Sequence, residues 1–108
     1  VRKLDAAFDF FARLGLPYFC FHDVDVMAPA QTPKQHSENL AAIATQIERR
    51  MGETGVRLLW GTANLFSHPR YMAGAATNPD PEVFAFAALQ VRQALELTHR
   101  LGGANYVL

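Results

Sequence analysis

Three short runs of apolar, aromatic or β-branched residues recur along the chain, separated by longer segments with helical periodicity, and this alternation limits the fold more than any other feature. The runs are Tyr18–Val24 (YFCFHDV), Val56–Trp60 (VRLLW) and Asn105–Leu108 (NYVL). In the first, apolar side chains occupy both alternating faces until the charged residues arrive, which is how a parallel strand covered on both sides reads. Ahead of it, Leu4, Ala7, Phe8, Phe11 and Leu14 form one helical stripe opposite Arg2, Lys3, Asp5, Asp9 and Arg13, and Gly15 stops the helix. Thr32 caps a second helix with Pro33 at its first position; Leu40, Ile43, Ile47 and Met51 give its inner stripe, and Gly52 and Gly55 end it. After the second strand, a long loop rich in Gly, Ala, Asn and Pro runs from Gly61 to Asn78, and loops of this length are usually functional. Asp80 caps a third helix with Pro81 behind it, lined by Phe84, Ala87, Ala88, Val91, Leu95 and Leu101 and closed by Gly102 and Gly103.

Helix, strand, helix, strand, helix, strand predicts an α/β fold of parallel strands joined by right-handed helical crossovers. Two architectures share that pattern. An open doubly wound sheet usually carries a Gly-rich phosphate turn after an early strand, and neither a G-x-G-x-x-G nor a P-loop spacing occurs here. A (β/α)8 TIM barrel takes ~250 residues, so 108 residues supply part of one. The reading adopted is a partial barrel of about three consecutive βα units, one unit over residues 1–108 with no internal domain boundary.

Composition narrows the function classes. Half the residues are hydrophobic and 19% are charged, enough apolar side chains for one ordinary domain core. Ten Lys and Arg balance ten Asp and Glu with no basic stripe, which argues against a nucleic-acid or anionic-membrane partner. The longest apolar stretch, Leu16 to Phe21, is broken by Pro17 and falls far short of the ~20 residues a membrane span needs. Cys20 is the single cysteine and has no internal disulfide partner; its apolar surroundings predict a buried, reduced thiol, which fits a cytoplasmic protein. Val1 reads as already inside the first helix with no signal segment before it, so the ends read as cuts.

In a parallel barrel, polar side chains at the carboxyl ends of the strands form the mouth of the active site. His22 and Asp25 stand at such an end. Imidazole exchanges protons near neutrality, and a carboxylate three residues on can accept its second N–H and fix its tautomer, giving an acid/base pair. An ordinary strand-end hydrogen bond uses the same two residues. The second strand ends in Trp60, Gly61, Thr62, Ala63, Asn64, Leu65 and Phe66, where aromatic faces can stack on sugar C–H groups while Thr62 and Asn64 bind hydroxyls. Core packing of Trp60 and Phe66 is the other reading. Strand alternation turns Asp23 away from His22. His36, His68 and His99 read as structural or solvated, and Arg70 and Tyr71 in the long loop are candidates for contact with a neighbouring subunit.

Taken together, the runs PYFCFHDVDV, LLWGTANLFSHPRY, GAATNPDPEVF and THRLGGANYVL resemble consecutive segments of xylose isomerase, especially its longer bacterial form. The resemblance implies a (β/α)8 barrel enzyme interconverting D-xylose and D-xylulose, and in the family also D-glucose and D-fructose. It implies a cytoplasmic homotetramer with two divalent metal ions, Mg2+ or alternatively Mn2+ or Co2+. His22 matches the histidine that assists ring opening, Asp25 the carboxylate that holds it, and Trp60, Thr62 and Phe66 the pocket wall. The metal ligands of the family are expected on strands beyond Leu108, so none is assigned within this chain, and residues 1–108 alone are expected to be inactive. Another metal-dependent sugar isomerase or epimerase on the same barrel, and a non-catalytic flavodoxin-like binding domain, are the alternatives.

Overall fold

The Thr32–Pro33 and Asp80–Pro81 pairs start two long helices where their spacing predicts. In the computed structural model, which describes residues 2–108, Thr32 Oγ1 accepts the Gln35 amide at 3.2 Å and Asp80 Oδ1 accepts the Glu82 amide at 2.9 Å. The assignment of Val1 to a helix lies outside the described residues. The elements are α1 (Arg2–Arg13), β1 (Tyr18–His22), α2 (Asp23–Val26), α3 (Pro33–Thr54), β2 (Arg57–Thr62), a 3-10 turn at Pro69–Tyr71, α4 (Pro81–Arg100) and β3 (Asn105–Tyr106). Gly55, at φ 72°, closes α3 by donating its N–H to the Met51 carbonyl at 2.8 Å, whereas Gly52 stays inside the helix.

The strands are parallel in the order β1-β2-β3, with α3 and α4 as the crossovers, as three consecutive βα units of a barrel require. β1 stops at His22, short of the expected Val24, because the Asp25 carboxylate accepts the His22 N–H at 3.0 Å and turns the chain into α2. β2 runs on to Thr62, which pairs with His22. The register places Phe19 opposite Leu58 but Cys20 opposite Trp60, so Leu59 is an extra residue forming a bulge in β2.

Phe19, Phe21 and Leu58 face Leu4 and Phe8 of α1, Ile43 and Ile47 of α3 and Leu97 of α4 in one buried cluster. Phe8 and Phe19 meet edge to face, ring centroids 4.9 Å apart. Burying a side chain of this size stabilises by about 1.5–3 kcal/mol. Outside the core, Arg50 of α3 bonds Asp9 of α1, and Arg100 of α4 grips Glu48 of α3 through two hydrogen bonds, so ion pairs join neighbouring helices.

Three burial expectations change. Leu14, read as part of the inner stripe of the first helix, lies past the end of α1 and is exposed. Cys20 is exposed, because alternation puts it with Tyr18 and Trp60 on the face of the sheet opposite the helices, and among the described residues that face carries no covering layer. On α4, Phe84 and Leu95 are exposed, and the buried stripe is Phe86, Ala87, Gln90, Ala94, Leu97 and Thr98. The helix is apolar around much of its circumference, so periodicity left its phase open. Two polar side chains with internal hydrogen bonds are taken inward in place of two hydrophobes: Gln90 donates to Asp23, and Thr98 Oγ1 donates to the Ala94 carbonyl at 2.7 Å. No helix among the described residues is long and apolar enough to cross a membrane.

Thr98 also explains why position 61 is glycine. A Cβ there would lie 2.4 Å from Thr98 Oγ1 and 3.2 Å from the Phe21 ring. Gly61→Ala is therefore expected to cost about 1–3 kcal/mol through overpacking, measured as a lower denaturation midpoint in the full-length protein; an unchanged midpoint would mean that Thr98 rotates aside freely.

Candidate active site

At the carboxyl end of β1 the chain passes directly from strand to α2, and the turn is built around Asp25. One carboxylate oxygen, Oδ2, accepts the backbone N–H of His22 at 3.0 Å and lies 3.3 Å from its ring Nδ1. A carboxylate only accepts, so Nδ1 carries the proton and Nε2 is left to exchange protons with a ligand. The His22 and Asp25 side chains keep 38% and 53% of their surface open. The His22 ring stands edge-on to Trp60 at 6.3 Å and to Phe66 at 6.2 Å, both at 89°. An imidazole with an oriented tautomer thus sits between two aromatic walls, one half-buried and one, Phe66, 71% exposed.

Thr62 lies beside His22 in the sheet, but it is buried and its hydroxyl donates to the Val107 carbonyl, so its proton is committed within the fold. Asn64, read from the sequence as a second hydroxyl binder, is engaged on both sides. Its Oδ1 accepts the amides of Phe66 and Ser67 at 3.1 and 2.9 Å, and its Nδ2 donates to Ser67 Oγ at 2.7 Å. It shapes the loop that presents Phe66 instead of facing the opening.

Asp23 is fully buried and turned away from the opening. Its Oδ1 accepts the Val24 amide at 2.9 Å and the Asn64 amide at 2.8 Å, and its Oδ2 accepts Gln90 Nε2 at 2.9 Å and faces His36 Nε2 at 3.5 Å. Burial pushes this carboxyl up, but His36 and the three donors outweigh it and hold it below the usual carboxylate value. Tyr71 extends the network by donating to Gln90 Oε1, and burial raises its phenol. Arg70 stacks 3.8 Å over the Phe86 ring and bonds the Ala30 carbonyl, so Arg70 and Tyr71 are both used inside the chain. His68 caps the 3-10 turn by accepting the Arg70 amide at 3.1 Å; burial and then the Arg70 charge lower its pKa. His99 is exposed on the last turn of α4.

The sequence carried one signal for this network that its apolar pattern concealed. His36 precedes Leu40 by one helical turn, on the same stripe as Ile43 and Ile47, and Gln90 lies one turn from both Phe86 and Ala94. A polar side chain on a buried stripe needs a buried partner.

Among the described residues, no three His, Cys, Asp or Glu side chains converge on a point that could hold a metal ion. A divalent metal therefore does not fit this segment by itself.

No family model matches the chain. It is 69% identical over 106 residues to the xylose isomerase of Solibacter usitatus, an alignment covering 98% of this chain and 24% of that protein. Against the xylose isomerase of Paraburkholderia xenovorans it is 62% identical over 107 residues, covering 99% and 24%. Against that of Photobacterium profundum it is 57% identical over 106 residues, covering 98% and 24%. The chain spans about a quarter of the length of these curated relatives.

Proposed function

Because the chain belongs to the xylose isomerase family, as a segment homologous to about a quarter of its members' length, we propose that the protein it forms part of interconverts D-xylose and D-xylulose. The observation that carries this reading for the site is the half-open His22 imidazole, held by Asp25 through Nδ1 and flanked edge-on by Trp60 and Phe66. Opening a cyclic aldose moves a proton from the anomeric hydroxyl to the ring oxygen. His22 Nε2 is the group that relays it, and the Asp25 carboxylate stabilises the ring when it carries the extra proton. Trp60 and Phe66 present apolar faces to the C–H side of a sugar and exclude water from it. Thr62 contributes its position beside His22, with only its oxygen lone pairs free for a hydroxyl.

The hydride shift that follows ring opening calls for divalent cations to stabilise charge on two sugar oxygens, and the family implies such ions. Their ligands are assigned to parts of the protein outside this chain. A cytoplasmic homotetramer belongs to the same reading. The test is to incubate the full-length protein with D-xylose and Mg2+, Mn2+ or Co2+ and to identify the product by NMR. D-xylulose is the expected product; an epimeric aldose, or no turnover with any of the three metals, would overturn the proposal.

A further inference from the structure

The hydrogen bonds around His36 determine where its protons sit. Ser37 Oγ donates to the Pro33 carbonyl at 3.0 Å, so toward Gln93 it can only accept. The amide nitrogen of Gln93 therefore faces Ser37, at 2.6 Å, and its Oε1 faces His36 Nδ1, at 2.8 Å. Nδ1 must then donate. On the other side of the ring, Nε2 has no hydrogen-bond partner and lies 3.5 Å from Asp23 Oδ2. That carboxylate already accepts three N–H groups, so a bare Nε2 lone pair would face it with like polarity. The contact is favourable when Nε2 also carries a proton. The remaining surroundings of the ring are the Phe86 edge at 5.9 Å and a cavity of about 200 Å³ shared with Arg70, His68 and Asn64.

We propose that His36 is a positioning residue for the candidate active site, acting through Asp23 on His22 on one side and on the Phe66 loop on the other. Asp23 follows His22 directly and holds the Val24 amide in the first turn of α2, the helix that carries Asp25. The same oxygen holds the Asn64 amide, and Asn64 in turn holds the amide of Phe66. One buried carboxylate thus sets both the Asp25 side of the imidazole and one of its aromatic walls. His36 sets its Nε2 edge against that carboxylate and limits which way its Oδ2 points. Neither His36 nor Asp23 touches the opening, so the effect passes wholly through His22 and Phe66.

This inference rests on the isomerase reading for its kinetic arm, and a spectroscopic arm keeps it testable if that reading fails. In the full-length protein, His36→Gln is expected to lower kcat for D-xylose about tenfold, the scale of a sub-ångström misplacement of reacting groups, with KM little changed. The His22 ring 15N resonances are expected to shift in the same variant. Gln93→Leu, which removes the Nδ1 acceptor together with the Ser37 contact at the half-buried far end of the chain of bonds, should move the same resonances the same way by less, and it decides the matter should His36→Gln not fold. Folded variants with unmoved His22 resonances, or a loss confined to KM, would overturn the positioning role. Shifted resonances in a protein with no isomerase activity would support it while removing the proposed reaction.

Discussion

Replacing His22 by Gln in the full-length protein is expected to leave the fold and bound metal intact and to lower kcat on cyclic D-xylose by about 10²–10⁴-fold, the usual contribution of a positioned general acid/base. Gln keeps a donor and an acceptor of similar reach, so the Asp25 contact can re-form, but it cannot transfer a proton. The reactive form of the substrate separates the step: xylose supplied as the transient open-chain aldehyde should be isomerised by the variant at nearly the original rate. Full activity on the ring form would remove His22 from the mechanism and leave the His22–Asp25 pair as a helix cap. Asp25→Asn should fall between the two, because an amide can hold the ring without stabilising its protonated form.

The largest effect on stability is expected at Asp23. Asp23→Ala strips one acceptor from the Val24, Asn64 and Gln90 donors and leaves the buried His36 ring facing an empty position. Breaking a buried pair from one side typically costs about 3–5 kcal/mol, a large share of the 5–15 kcal/mol that holds an ordinary protein together. Denaturant titration of the full-length protein reads this directly, and a loss below about 1 kcal/mol would mean that the network is not under tension from burial. The pH dependence has a definite sign. A carboxyl whose folded pKa is lowered stabilises above its ordinary value of 3.8, and that contribution drains away as pH falls through the lower folded value. Asp23→Asn should therefore flatten the acid limb of the stability curve.

Local chemistry made much of this structure readable from sequence. Thr32–Pro33 and Asp80–Pro81 act within a few residues, and so do His22 and Asp25; each stands where its spacing predicts. The inner stripe of α3 was legible because its opposite face is polar. The phase of α4 was not, since Phe84 and Leu95 are as hydrophobic as the Phe86 and Leu97 that displace them inward. Thr62 and Asn64 have the groups a sugar site uses, and only their partners, Val107, Phe66 and Ser67, show that those groups are already spoken for. Asp23 meets Gln90 and Asn64 from distant parts of the chain, contacts that no local pattern encodes. Element order alone also suited a flavodoxin-like sheet. The relatives at 57–69% identity are what exclude it.

The supernumerary Leu59 has a consequence for how this strand tolerates change. With strict two-residue periodicity, a strand carrying Leu58 toward the helices would carry Trp60 the same way, into the space where Thr98 and Phe21 already close on Gly61. The inserted residue resets the phase, so the indole emerges beside His22 and the glycine, which alone fits there, takes the crowded side. Losing Leu59 alone would therefore leave Trp60 opposite Cys20 and Gly61 opposite Phe21, whereas one more residue inserted between Gly61 and His22's partner Thr62 would turn the strand end over.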